Sequence, residues 1–246
     1  MMMLDSVVFL AANTARSQAY AQAMAHSGTK VNTTIYFDKA ANPNHGKTAG
    51  GISSESGQTD VFMPDLDIPL LDTCKKISTT VHQITADNIN DNAIQSYLAN
   101  NISKFDLAIF SGFGGQIVRS GILYLGIPLL HIHSGWLPDY RGSTTTYYSL
   151  LNKESMCGVS AIILAPDIDQ GPIVARHLYP LPPPGANTDY LYDSAIRADL
   201  LMRTLTLWQN DKTFPEQIQQ EPEKGDTYYV IHPLLKHIAL MSIGHD

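Results

Sequence analysis

Apolar positions fall in short runs separated by polar, helix-like stretches. Val7-Val8-Phe9-Leu10-Ala11 is continuous, the pattern of a buried strand. Asn13-Thr14 follows as a helix cap, and the alanine-rich stretch 15–25 is stopped by His26-Ser27-Gly28. Residues 31–37 are β-branched and aromatic and predict a second strand. Strand, helix, strand at this spacing is a βαβ unit.

Residues 39–60 are polar, carry Gly46, Gly50, Gly51 and Gly57, and predict a long, mobile excursion. Further strands are expected at 79–84, 106–110, 128–133 and 159–164, with helices at 88–98 and from 144 to 151. Extended chain is expected over 172–181, and Pro182-Pro183-Pro184-Gly185 marks a break. Leu191, Ile196, Leu200, Leu201, Leu205 and Trp208 then space an amphipathic helix over 189–208. The fold class is α/β: a Rossmann-like open sheet with helices on both faces and a short C-terminal extension. The division expected is a catalytic domain over 1–184 and, over 185–246, a helix and short tail packed on that domain or on a dimer partner. The apolar end of the tail is the reason to expect a homodimer.

His131 and His133 stand at i and i+2 at the end of a strand, so their rings share one face. Ser111-Gly112-Phe113-Gly114-Gly115 follows another strand, where a parallel sheet places ligand loops. Asp167-Ile168-Asp169-Gln170-Gly171 ends a later one. Strand ends of an open sheet gather at one rim, so histidine and aspartate there form a kit for proton transfer. The same residues also occur as hydrogen-bonded packing and as turn aspartates. The three side chains are a conceivable metal set, but the expectation is no metal.

Charge narrows the substrate. Sixteen basic against 23 acidic residues give a net −7, a field that repels polyanions. The longest basic run is Lys75-Lys76. Nucleic acid is therefore not an expected partner, whereas a small anionic substrate needs only one well-placed arginine. Two cysteines, Cys74 and Cys157, read as free thiols. No apolar run is long enough for a membrane span, and a cytoplasmic protein is expected.

His131-Ile132-His133-Ser134-Gly135-Trp136-Leu137-Pro138-Asp139-Tyr140-Arg141-Gly142 resembles the Asn-x-His-Pro-Ser-Leu-Leu-Pro-x-(aromatic)-x-Gly signature of the tetrahydrofolate-dependent formyltransferases. Asp167-Ile168-Asp169-Gln170-Gly171-Pro172-Ile173 resembles their second signature, and Phe113-Gly114-Gly115-Gln116-Ile117-Val118 the segment before their folate pocket. Order and gaps agree across about 105–175. Small-molecule and nucleotide-sugar N-formyltransferases are the nearest match. The residues over 11–17 lack the tight glycines of the purine-pathway members. About 60 residues after Pro184 are fewer than the extra domain of the tRNA enzymes requires.

The resemblance implies transfer of a formyl group from N10-formyltetrahydrofolate to a small amine, with an amino sugar nucleotide as the favoured acceptor. By position His133 is the catalytic histidine and Asp169 the catalytic aspartate. His131, in place of the family's asparagine, would polarise the formyl oxygen. Folate would contact Gly112, Phe113, Gly114, Gln116 and Ile117 on one side and Asp167, Ile168 and Gly171 on the other. Asn13, Arg16, Trp136 and Thr144 would meet the amine substrate. Trp136 offers a flat wall for stacking, and Gly135 loosens the backbone. A formyltetrahydrofolate hydrolase and an inactive folate-binding homologue are the alternatives.

Overall fold

The computed structural model describes residues 2–39 and 61–243. The chain runs β1 (Met2–Ala12), α1 (Ala15–Ser27), β2 (Thr29–Asp38), α2 (Leu70–Ile77), β3 (Ser78–Thr85), α3 (Asn92–Asn100), β4 (Leu107–Ser111), α4 (Ser120–Leu123) and β5 (Leu129–His133). It continues through β6 (Tyr140–Gly142), α5 (Thr145–Leu151), β7 (Cys157–Ile163), β8 (Ile173–Tyr179), α6 (Asp193–Asp211), β9 (Asp226–Tyr228) and α7 (Pro233–Met241).

The local signals near the N-terminus act as expected. Thr14 Oγ1 accepts the Ser17 N–H at the start of α1, and Gly28, at φ 70°, ends the helix in the left-handed region that favours glycine. Strand order is β3-β2-β1-β4-β5-β7-β8. The first five strands of that order pair in parallel, while β7 and β8 are antiparallel. Val7, Phe9 and Ala11 bury one face of β1 with α1, α2 and α6. Val8, Leu10 and Ala12 bury the other with α3 and α4. Period-two alternation between two apolar layers is what a sheet covered on both sides demands.

Several elements differ from expectation. The excursion at 40–60 lies outside the described residues. α2 was hidden behind it, yet Leu70, Thr73, Cys74 and Ile77 carry its buried stripe. α3 starts at Asn92 because Asp91 caps it, accepting the Ala93 N–H at 2.8 Å. The expected 189–208 helix opens as a wide turn, Thr188–Tyr192, before α6. The tail returns to the body: β9 pairs with β6, and α7 packs against α5 through Ala239, Tyr147 and Leu150. Both cysteines are free and buried. Among the described residues no helix is long and apolar enough to cross a membrane.

Candidate active site

β5 carries the two histidines. Leu130 and Ile132 point into the layer under α6, so His131 and His133 emerge on the opposite face. They line a cavity of about 460 Å³, a size that suits a small organic ligand. His133 is 3% exposed. Its Nε2 lies 2.7 Å from the Tyr140 carbonyl oxygen. A carbonyl only accepts, so Nε2 carries the proton and donates it. Nδ1 is left facing Asp169 Oδ2 at 3.3 Å. The same Oδ2 accepts the Gly142 N–H at 2.8 Å. Burial pulls the His133 pKa below the usual imidazole value, against the opposite pull of Asp169.

His131 is half-buried, and its Nδ1 is buried with no hydrogen-bond partner. Burial, then the charges of Arg16 and Arg197, hold its pKa well below the usual range, with the Phe110 backbone pulling the other way. The ring is therefore neutral at pH 7.

The β7–β8 loop does not follow the rim logic. β7 runs antiparallel to β5, and Ile163 ends beside Leu130, not beside His133. The loop doubles back to deliver Asp169, which sits at φ 53°, a conformation costing about 1–3 kcal/mol for a residue with a side chain. Gln220 holds it there, its Nε2 donating to Asp169 O (2.8 Å) and Gly171 O (2.7 Å). Arg141, 2% exposed, clamps the same tail segment by donating to Glu221 O and Pro222 O. A Cβ on Gly171 would fall 1.8 Å from Ile163 O. Gly171 permits this close return and lies outside the cavity lining where contact with folate was expected.

Other expected contacts divide. Phe113, Gly114, Gln116, Ile117, Asp167 and Ile168 line the cavity, with Ile117 58% and Ile168 45% exposed. Gln116 spends its amide on the backbone: Nε2 donates to Asp87 O and Oε1 accepts from Ile89 N. Gly112 is not in the lining; its carbonyl accepts from Arg16 Nη2 at 2.5 Å. Arg16 lines the cavity and also donates to Ser111 Oγ. Thr144 lines it too, but its hydroxyl donates to Ser143 O and accepts the Ile231 N–H.

Two expectations are corrected. Asn13 stays out of the cavity, because its amide donates to Asp38 Oδ2 at 2.8 Å. Trp136 lines a second cavity of about 360 Å³. Its Cβ and backbone rest on Gly158, where an added Cβ would fall 2.6 Å from Trp136 Cβ and 2.9 Å from its N, and the Arg176 guanidinium stacks on its ring at 4.5 Å. Gly135 is not a hinge either. A Cβ there would meet both His133 Nε2 and Tyr140 O at 2.6 Å, so glycine is what lets that hydrogen bond form.

The sequence reading missed Arg197, Asp193 and Asp189, which reach the cavity from α6 and the turn before it. Arg197 Nε lies 3.0 Å from Asp193 Oδ2 as an ion pair without a well-aligned hydrogen bond. Asp193 also accepts the Ser134 hydroxyl. The signal was an i,i+4 acid–base pair on a helix whose apolar positions surround it. Tyr228, Tyr229 and Val230 close the cavity from the tail; only the β6–β9 pairing puts them there.

No family model matches the chain. Over 136 residues it is 30% identical to the methionyl-tRNA formyltransferase of Roseiflexus castenholzii, covering 54% of this chain and 42% of that protein. The chain thus spans less than half the length of this curated relative. Glycinamide ribonucleotide transformylase 1 from Symbiobacterium toebii shares the fold with a TM-score of 0.57 at 16% identity, covering 90% of this chain and 95% of that one. A sugar 3N-formyl transferase, its structure described in the presence of dTDP and 5-N-formyl-THF, gives 0.54 at 16% identity, covering 94% and 70%.

Proposed function

We propose that this chain, a relative of the formyltransferases, moves a formyl group from N10-formyltetrahydrofolate to the amine of a small molecule, a nucleotide-linked amino sugar being the favoured acceptor. One observation carries the reading: His133 and Asp169 meet at 3.3 Å inside the main cavity. The cavity suits a folate. Phe113, Ile117 and Ile168 leave apolar surface bare beside a polar centre, which is what a flat heteroaromatic ring with polar edges needs. Bound there, N10-formyltetrahydrofolate supplies the formyl group.

The chain's own residues supply the rest. As the amine nitrogen bonds the formyl carbon and the bond to the folate N10 breaks, Asp169 Oδ2, fixed by the Gly142 N–H, takes the amine's proton and passes it on to the departing N10. His133 Nδ1 is close enough to share it. Such a relay contributes about 10²–10⁴-fold in rate. A neutral His131 carries one N–H to donate where negative charge develops on oxygen; losing such a donor costs about 3–4 kcal/mol. Arg16 and Arg197 supply positive charge for an anionic group on the acceptor. Support for a small acceptor is the cavity's size together with the net −7 of the chain, which disfavours tRNA.

The test is mass-resolved turnover with N10-formyltetrahydrofolate, a panel of amino-sugar nucleotides, amino acids and amines, and methionyl-tRNA. A small product heavier by one formyl group, lost in His133→Ala and Asp169→Ala, is expected. Formate without formylated product would make the protein a hydrolase, and formylated methionyl-tRNA would move the acceptor to tRNA. Folate binding without donor consumption would mark an inactive homologue. Absence of folate binding would overturn the reading.

A further inference from the structure

We propose that His131, His133 and Asp169 form a three-donor site for a first-row divalent transition-metal ion, of the class to which Zn²⁺, Co²⁺ and Fe²⁺ belong. One donor atom from each residue lies within 4.8 Å of the other two. His133 Nδ1 and Asp169 Oδ2 are 3.3 Å apart, the edge of a tetrahedron whose centre-to-ligand distances are about 2.0–2.1 Å. Completing the site would bring a His131 ring nitrogen closer to the other two donors than the present limit of 4.8 Å.

The donors themselves favour a cation. His133 gives its Nε2 proton to the Tyr140 carbonyl, so a neutral ring turns the Nδ1 lone pair toward a carboxylate oxygen. Two electron-rich atoms at that distance are stabilised by a positive centre between them, a proton or a metal ion. The surroundings match what orients metal ligands: a ligating histidine ordinarily donates its other N–H to a carbonyl or carboxylate, and a ligating carboxylate is itself hydrogen-bonded. Tyr140 O does the first, and the Gly142 N–H the second. His131 offers one ring nitrogen to the cluster, and its Nδ1 is buried with no hydrogen-bond partner. The related signature has asparagine at this position, which brings no imidazole nitrogen; histidine completes a set of two imidazoles and one carboxylate.

That set, with remaining positions open to the cavity, is the donor pattern of catalytic zinc and of non-haem iron. Arg16 and Arg197 oppose a further positive charge nearby, while Asp169 and Asp193 offset them. The ion would occupy the place of the proton shared by His133 and Asp169, so the metal-loaded protein and the proton-relay state exclude each other. The site goes beyond the formyl-transfer reading, because ion binding is measured without folate or acceptor.

The test titrates the chelator-stripped full chain with Co²⁺ alone, followed by visible absorption, and with Zn²⁺ alone by calorimetry. The expected result is about one ion per chain, with the intense bands of low-coordinate Co²⁺ that Zn²⁺ displaces. His131→Asn and Asp169→Asn should weaken binding at least about 100-fold, beyond the 10–100-fold typical of outer-shell partners. His177→Asn, on β8 away from the site, should bind as the parent does. No Co²⁺ bands and no Zn²⁺ heat with the parent chain would overturn the proposal, as would equal binding by His131→Asn. Should His131→Asn fail to fold by circular dichroism, X-ray absorption of the Co²⁺-loaded parent decides: two imidazoles in the inner shell support the site, and none refutes it. A metal-binding protein that ignores folate would refute the formyl-transfer reading and leave this one standing.

Discussion

Asp169 stands 3.3 Å from His133 Nδ1 although the strand that leads to it ends beside Leu130. The contact exists because the 164–172 loop doubles back and is tied down from outside the sheet. Gln220 bonds its backbone twice, and the Gly142 N–H bonds the carboxylate itself. A side chain that depends on so many remote partners can be perturbed from each of them.

Asp169→Asn keeps the size of the side chain and an oxygen for the Gly142 N–H but removes its charge. On the proposed reading, formyl transfer should fall about 10²–10⁴-fold, the usual worth of a positioned proton acceptor. Folate affinity, measured by fluorescence titration, should be unchanged. Unchanged turnover would remove Asp169 from the chemistry.

Gln220 does not touch His133 and is not itself part of the cavity lining, yet its bonds to Asp169 O and Gly171 O position the loop. Gln220→Ala removes three hydrogen bonds, two donated to Asp169 O and Gly171 O and one accepted from Arg141 Nε, each worth about 0.5–1.5 kcal/mol net. A fall in kcat of about tenfold is expected, with KM for the acceptor little moved and Tm lower by roughly 2–4 °C for each kcal/mol lost. A lower Tm with unchanged kcat would mean that Gln220 serves stability instead.

Gly135→Ala places a Cβ 2.6 Å from both His133 Nε2 and Tyr140 O. Overpacking of this kind costs about 1–3 kcal/mol, and each kcal/mol lowers Tm by roughly 2–4 °C in a chain of this size. Tm and turnover should drop together, because the hydrogen bond that fixes the histidine is the one displaced. At Gly114 an added Cβ meets nothing within 4 Å, so Gly114→Ala should leave Tm in place.

Burial pushes the thiols of Cys74 and Cys157 up to about 12. The thiolate is the reactive form, so alkylating reagents at pH 8 should label neither cysteine until the chain unfolds. Above the ordinary thiol value of 9.0 the unfolded thiols ionise while the folded ones keep their protons. The unfolded state then binds fewer protons, and stability falls as pH rises from 9 toward 12. Denaturant midpoints flat across that window, or rapid labelling of the native protein, would contradict the burial of both groups.

Much of the fold was legible because the signals were local. The β1–α1–β2 unit could be read from one apolar run, one cap and one terminating glycine, and Thr14 and Gly28 do that work in the structure. His131 and His133 were placed on one face by the period of two alone. α2 was equally legible in principle, since Leu70, Cys74 and Ile77 repeat at helical spacing. Trp136 lies away from the main cavity because a large ring a few residues after the two histidines says nothing of which way the chain turns, and Gly158 with Arg176 turns it outward.

By itself the sequence determined which segments become strands and helices, which sheet face carries the histidines, and which functional groups are available, because these depend on neighbours within a few residues. Which groups meet was decided only by the tertiary structure. The antiparallel run of β7, the return of the tail through β6 and β9, and the arrival of Arg197 from α6 depend on the path of the whole chain. Contacts between distant residues follow from the packing of complete layers, and no local pattern encodes them.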